Sequence, residues 1–576
     1  MNKIETKILL SNLIDRIESS TGEELQLGGK LTQKELQALK FALAALEGVE
    51  PEPSTTPAPP FTQQATEQYP EQKQSAVEKA ETNRKADSEA IALDLSVLKL
   101  PEAPQDQRLC LDFGTAMSKV TRVKDSSKTR DETIEVLKLG IPGDQEELSE
   151  TMLVSSVFID NDGLLWFGEE AIQQSLLGEN DDRERMDNIK RWFSEGSMDS
   201  PVAANFNPTQ TRLTYGDMVQ AYLMYFTWVI DQCLESKGYP RNIHRRFAMP
   251  IFDETRRANS EAMLKQMLGN AQILADTFSQ SIQGGIHVDQ FTEALKHLKK
   301  ESLSYDFITD AVTEPLGVAG SLISWTTSQH TLAMIVDIGA GTSDFSLFRI
   351  KYNANTGKSM STEVVNSSRG ISEAGNHLDK ILTSFALKKA GIEPDHELYR
   401  NIVGNLNKEI RDAKETLFIE GHVTISLFNN EIVEIDLDEF LALKPVKSFA
   451  ESLQGCFNQI LNDVDESWLR AAPSPSGKPR LAVVLTGGGA ELPMAIDLAT
   501  GTVKAQDVVL ELAQSVQFPI WLKQSGLEEL EDDYPRIAVS LGGARKAIIP
   551  HGKSAALTAG DVKESAVLQG YYQKGS

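Results

Sequence analysis

The chain has 576 residues, 40% hydrophobic and 24% charged, enough to bury a large core and to form more than one domain. Its formal net charge of -26 argues against a main partner that is nucleic acid or an anionic membrane surface. Cys110, Cys233 and Cys456 stand far apart with no CxxC spacing, which indicates neither a zinc site nor a disulfide framework and fits a reducing cytoplasm.

The N-terminal stretch "MNKIETKILLSNLIDRIES" mixes charges through its apolar residues, so no export signal or membrane span is expected. Ile4, Ile8, Leu13, Ile14 and Ile17 recur at helical spacing, and "TQKE" at Thr32 to Glu35 is a capping box opening a second helix through Leu46. A helical hairpin over 1–47 is expected, as a module for a protein partner. From 48 to 107 the composition turns to Pro, Thr, Gln, Glu and Ser, which cannot offset the entropy of ordering, so a disordered tether is expected. Within it, "ADSEAIALDLSVL" (86–98) reads either as a short helix or as a docking segment. From Arg108 to about Pro550 strands alternate with helices, which gives an α/β fold class.

Two strand-turn segments in that region look alike: "RLCLDFGTAMSKVTRV" from Arg108 and "MIVDIGAGTSDFSLFRI" from Met334. Each turn can aim backbone N–H groups into one space as an anion nest, with glycine permitting close approach. The aspartate ending the first strand points toward the same spot, and a carboxylate beside phosphate makes sense mainly with Mg²⁺ between them, usually through water. A hairpin with a polar tip explains either segment taken alone. Two of them, about 225 residues apart, favour a duplicated fold gripping phosphate from both sides. A third element, "RLAVVLTGGGAELP" from Arg480, ends a buried strand in Gly487, Gly488 and Gly489, where bare backbone permits contact with a nucleoside or merely close packing. "NTGKS" at Asn355 to Ser359 is not a P-loop, because Tyr352 stands where the upstream glycine belongs; a hairpin turn is expected. His287 and His297 show no ligand spacing.

The order DFGT, DIGAGTSD, VLTGGG resembles the ATPase domain of the actin-like superfamily, and specifically its DnaK-type, seventy-kilodalton heat-shock branch. "SSVFIDNDGLLWFGEEA" is similar to that branch's strand pair leading into a helix, and "DNIKRWFSEG" to its "DAKRLIG". "RFAMPIFDETRRANSEAML" resembles "ITVPAYFNDSQRQATKDA", and "TEPLGVAG" resembles "NEPTAAAL". "GISEAGNHLDKIL" resembles "LGGEDFDNRL", "EIRDAKETLFIEGHVTISL" resembles "ECERAKRTLSSSTQASIEI", and "AVSLGGA" resembles "AVAYGAA". These matches cover most of 108–550 in the family's order.

The resemblance implies two lobes, 108–330 and 331–555, each RNase-H-like, enclosing ATP and Mg²⁺, with a C-terminal tail at 556–576. Asp112, Asp337 and Asp344 would serve the metal, Asp337 holding its shell or the attacking water. Gly114, Thr115, Ala116 and Lys119 on one side, and Gly339, Ala340, Gly341 and Thr342 on the other, would bind the phosphates. Lys190 would neutralise the γ-phosphate, Glu314 would stand near the metal, and Lys414 and Gly487 to Gly489 would line the nucleoside. A surface lysine and a turn acid are the plainer readings of Lys190 and Glu314. Arg411, Glu415, Phe418 and Glu491 depart from the family's adenine side, removing its flanking cations and leaving Phe418 as an alternative stacking surface.

The family's peptide-holding domain is not expected after Gly543. An insertion over Ser279 to Tyr305 contains an amphipathic helix, "HVDQFTEALKHLKKESL", suited to partner contact or to passive surface elaboration. The implied function is a slow ATPase switch whose lobe closure is relayed to a protein partner. A polymerising actin-like ATPase and a nucleotide-binding scaffold are the alternatives.

Overall fold

The computed structural model describes residues 91–545, apart from 128–131, 141–150, 178–182, 253, 325–327, 354, 356–357, 474–476 and 516–517. The chain divides into two compact units, Met1–Asp87 and Ser88–Ser576. The expected hairpin at 1–47, the tether up to residue 90 and the tail at 556–576 lie outside the described residues.

The described residues build a mixed α/β fold around two large sheets that share the order of five strands, the second continuing into Thr502–Ala505 at its edge. In the first, β1 (Gln107–Asp112), β2 (Met117–Asp125) and β3 (Glu132–Val136) form an antiparallel meander. β4 (His244–Met249) lies parallel to β1, and β5 (Ile308–Thr313) lies parallel to β4. The order is therefore β3-β2-β1-β4-β5. In the second sheet the meander is β6 (Gln329–Ile338), β7 (Ser343–Asn353) and β8 (Lys358–Glu363). β9 (Arg480–Thr486) is parallel to β6 and β10 (Val508–Gln514) is parallel to β9, giving β8-β7-β6-β9-β10. The central strands read as nearly unbroken apolar runs because helices cover both faces of a parallel sheet. The Asn353–Lys358 pairing makes "NTGKS" part of a hairpin connection, as its sequence suggests.

The helices that position the site are α1 (Lys190–Glu195), α2 (Tyr215–Ser236), α3 (Glu254–Thr277), α4 (Glu314–Ser321), α5 (Gly375–Lys389), α6 (Tyr399–Glu420), α7 (Lys444–Asp463) and α8 (Tyr534–Ala544). α2 starts on a full capping box, Thr214 and Asp217 each bonding the other's backbone. The strand pair read from "SSVFIDNDGLLWFGEEA" forms as Ser156–Ile159 with Leu164–Phe167, followed by a helix over Gly168–Leu177.

Two expected boundaries shift. The division at 330/331 falls inside β6, which starts at Gln329. α8, placed by sequence in the second half, returns to the first sheet: Thr121 and Ser540 share a 2.9 Å hydrogen bond, and Arg108 Nε donates to the Ala544 carbonyl at 2.6 Å. α8 also crosses α4 at backbone contact distance. A Cβ on Gly542 would lie 1.8 Å from the Gly317 carbonyl oxygen, so only glycine fits that crossing. Fully buried Arg545 closes the end of α8, donating to the Gly320 and Ile323 carbonyls and to Glu132.

The reading left open at the tether is decided by packing. Val97 is buried and Ile91, Leu93 and Leu95 pack against the first core, with a single 3₁₀ turn at Ser96–Lys99, so 91–100 is a docked segment. Its backbone is held by Thr277, whose Oγ1 accepts from Asp94 N at 3.0 Å, and by Asn242, which donates to the Pro101 carbonyl. The insertion helix, Val288–Leu298, buries Val288, Phe291, Ala294, Leu295 and Leu298 in the same core. Its His297 Nδ1 lies 3.2 Å from the Ile91 carbonyl, so the insertion helps seat the docked segment with one face while Asp289, Gln290 and Lys296 stay exposed.

Candidate functional site

Both hairpins are built to one register. Asp112 pairs with Lys119 across β1 and β2, and Asp337 pairs with Asp344 across β6 and β7. Each aspartate therefore meets its partner seven positions later, around turns that align in sequence as "DFGTAMSK" and "DIGAGTSD". Direct cross-strand neighbours share a sheet face. In the first hairpin the carboxylate faces an ammonium, with Lys119 Nζ 3.6 Å from Asp112 Oδ2. In the second it faces another carboxylate, and all three aspartates are buried.

The tips of the two turns meet. A Cβ on Gly341 would lie 3.0 Å from Thr115 Oγ1. The Gly339 N–H closes its own turn on the Thr342 carbonyl at 3.0 Å, while the Gly339 and Ala340 carbonyls accept from Gly375 and Asn376 at the start of α5, at 3.1 and 2.8 Å. Thr342 Oγ1 donates to Asp344 Oδ2 at 2.7 Å. The first turn is supported from below: the Gly114 N–H reaches Ser118 Oγ at 3.3 Å, Ser155 Oγ donates to the Gly114 carbonyl at 3.0 Å, and the Tyr222 hydroxyl donates to Ser118 Oγ at 3.0 Å. Ala116 accepts from Ser155 N at 2.8 Å. This buried hydroxyl cluster was not foreseen; Ser155 and Tyr222 come from distant elements with no motif to link them.

Lys190, at the start of α1, is buried and forms an ion pair with buried Glu314, the first residue of α4. Lys190 is therefore not the surface lysine of the plainer reading, and Glu314 opens a helix as a buried residue. Burial works against charge on Lys190, but Glu314, Asp112 and Asp344 outweigh it and raise the lysine above its ordinary pKa. Burial, then Glu314, Asp344 and Asp112, hold the Asp337 carboxyl well above the usual carboxylate range, with Lys119 opposing. Burial and Glu314 push Asp344 up to about 7, against the Thr342 hydrogen bond, Lys190 and the Ile251 backbone N–H. Asp112, Lys119, Lys190, Glu314, Asp337 and Asp344 thus share one electrostatic site.

The glycine triplet abuts that site. Gly487 has φ of +81°, and a Cβ there would lie 2.3 Å from the Ile338 carbonyl oxygen and 2.5 Å from Asp337 Oδ1. Gly489 N donates to the Ile338 carbonyl at 2.9 Å, while a side chain at Gly488 would meet open space. Lys414 is tied to Asp379 at 2.6 Å and donates to the Gly375 carbonyl at 3.3 Å, beneath the second tip. Asp379, its partner, was not anticipated.

Neither a known protein family nor a curated protein matches this chain. Phe418, considered as a stacking surface, is half-buried: it meets Phe440 edge-on, ring centroids 6.1 Å apart, and packs against the second core. The reason is helical phase, since α6 turns that ring toward the core while Glu415 stays exposed.

Among the described residues no group of three or more His, Cys, Asp or Glu side chains is arranged to hold a metal ion by direct ligation. What the site offers is a set of buried carboxylates that repel one another, beside backbone turns. That donor chemistry suits a hard cation held mainly through its own water, because such a charge opposes the burial and the neighbouring carboxylates that raise Asp337 and Asp344. No helix among the described residues is long and apolar enough to cross a membrane.

Proposed function

We propose that this chain is an ATP-binding, slowly ATP-hydrolysing switch with a two-lobed actin-like fold, most similar in plan to the DnaK-type chaperone ATPase domain. The observation that carries the reading is the pair of equivalent hairpins, one per sheet, whose turns touch at Thr115 and Gly341 beside buried carboxylates. The repeated strand order of the two sheets supports duplicated RNase-H-like lobes, and the α4–α8 crossing supplies a connection between them.

In this reading, the Gly114–Ala116 and Gly339–Thr342 backbones cradle phosphate from opposite sides. Lys190, kept charged by Glu314, stabilises charge that develops on the transferred phosphoryl group. Asp337 orients the attacking water and accepts its proton. Asp112, Asp337 and Asp344 would hold Mg²⁺, which when bound would supply Lewis-acid neutralisation of the phosphates. Lys414 and the Gly487–Gly489 backbone line the nucleoside side. Lobe closure is relayed to a protein partner, through residues 1–47 or the lobe surface. Phosphate release from ATP, compared among wild type, Lys190→Ala and Asp337→Ala, tests this: both substitutions should lower turnover by 100-fold or more, on the order expected for a lost charge-stabilising or water-positioning group. Unchanged release in both contradicts the catalytic roles.

A further inference from the structure

α6 belongs to the second half by core and connectivity, yet two of its cations end on the first half. Arg411 Nη2 donates to Asn188 Oδ1 at 2.8 Å, and Lys408 Nζ donates to the Ser175 carbonyl at 3.1 Å. Three positions apart, they lie on one face of the helix. The two contacts differ in what they reach: Ser175 lies in the helix over Gly168–Leu177, while Asn188 stands two residues before Lys190.

Asn188 is also conformationally unusual. Its φ of +59° is one of few positive values at a non-glycine position, and such a backbone persists only where its surroundings hold it. From that turn the chain enters α1 directly: Ile189 is helical in its dihedrals, and Arg191 N donates to the Asn188 carbonyl at 3.0 Å. The turn therefore sets the direction in which Lys190 leaves the backbone, toward Glu314 and into the carboxylate site. A side chain on the opposite half fixes the outer end of the same turn.

We infer that Arg411 is a positioning residue for Lys190, acting through Asn188. The inference rests on the reading of Lys190 as the cation that faces phosphate. Because Arg411 comes from the second half, Lys190 is fully aligned only while the two halves are in contact. Closure and the alignment of the charge-stabilising group are then one event. Lys408, which bridges the same halves without touching the Lys190 turn, provides the control.

The test is steady-state ATP turnover by the full-length chain carrying Arg411→Ala, Arg411→Lys, Asn188→Ala, the Arg411→Ala/Asn188→Ala pair, or Lys408→Ala, with the melting temperature of each. Arg411→Ala should lower kcat by about tenfold to a hundredfold, the scale of a small misplacement of a reacting group, with KM for ATP little changed. Asn188→Ala should match it, and the pair should be no worse than either alone. Arg411→Lys should recover part of kcat, and Lys408→Ala should leave kcat intact while lowering thermal stability. Wild-type kcat in Arg411→Ala, or a kcat loss in Lys408→Ala as large as in Arg411→Ala, overturns the inference. If Lys190→Ala itself turns over ATP normally, the ATPase reading falls and the inference with it; a normal Arg411→Ala beside an impaired Lys190→Ala overturns the inference alone.

Discussion

Asp337 and Asp344 are direct cross-strand neighbours, two buried carboxylates facing each other where the equivalent pair in the first hairpin is Asp112 with Lys119. Burial and the nearby Glu314 carboxylate, with Asp344 also acting on Asp337, make the folded chain hold on to protons there. Asp344 titrates near 7, far above its ordinary 3.8, and Asp337 is raised as well. Between those values the folded state binds protons that the unfolded state has released, so stability falls as pH rises. Without nucleotide, the loss should reach up to about 1 kcal/mol per pH unit between pH 4 and 7. Asp344→Asn should remove much of that slope, melting near wild type at pH 5 and higher than wild type at pH 8. A wild-type melting temperature that climbs from pH 5 to pH 8 would contradict the arrangement.

The contact between Thr115 and Gly341 makes the second turn intolerant of bulk. Gly341→Val would press a branched side chain onto Thr115 and into the space between the turns. Gly487→Ala would displace Asp337 Oδ1 and strain a backbone at φ +81°. Both should weaken ATP binding by tenfold or more, as a cost of roughly 1.4 kcal/mol. Gly488→Ala, which meets open space, should bind within a few-fold of wild type in the same titrations.

The α4–α8 crossing should be the most sensitive place in the core. Gly542→Ala sets a methyl 1.8 Å from the Gly317 carbonyl oxygen, and backbone on both sides leaves nowhere to yield. Overpacking of this kind costs on the order of 3 kcal/mol. Urea denaturation should show a lower midpoint with an unchanged slope; a midpoint equal to wild type would mean that the two helices do not cross at backbone contact.

Removing residues 1–85 should leave ATP affinity intact, since the docked segment 91–100 is retained. Extending the deletion through Ala103 removes buried Val97 and the apolar contacts of Ile91, Leu93 and Leu95 from the first core. That loss is worth about 2–3 kcal/mol from burial alone. Thermal melts of the two deletions distinguish them, and equal melting temperatures would show that 91–100 contributes nothing.

Much of this was legible in the sequence because it depends on short-range pattern. The Asp-Gly-Thr turns, the strand runs around them and the hairpin at Asn353 to Lys358 are local, and their signals survive burial. The long-range relations were less accessible. The parallel neighbours β4 and β9 pair with β1 and β6 across long crossovers, and no local spacing announces which strands meet. The resemblance singled out Lys190 and Glu314, but only the folded chain brings them into an ion pair 124 positions apart in sequence. The packing of Phe418 was not legible, because a helix position alone does not tell which face meets a core, and Phe440 lies beyond the helix. The return of α8 to the first sheet, and the seat that the insertion helix provides for 91–100, depend on contacts between segments hundreds of residues apart.

The central claim, that the two turns jointly hold one nucleotide polyphosphate, is tested most directly by calorimetric titration of the full-length chain with ATP, with and without Mg²⁺. A single site per chain is expected, tighter with Mg²⁺ and weakened at least tenfold by Gly341→Val. Absence of ATP binding in the presence of Mg²⁺, or binding that Gly341→Val leaves unchanged, would contradict it.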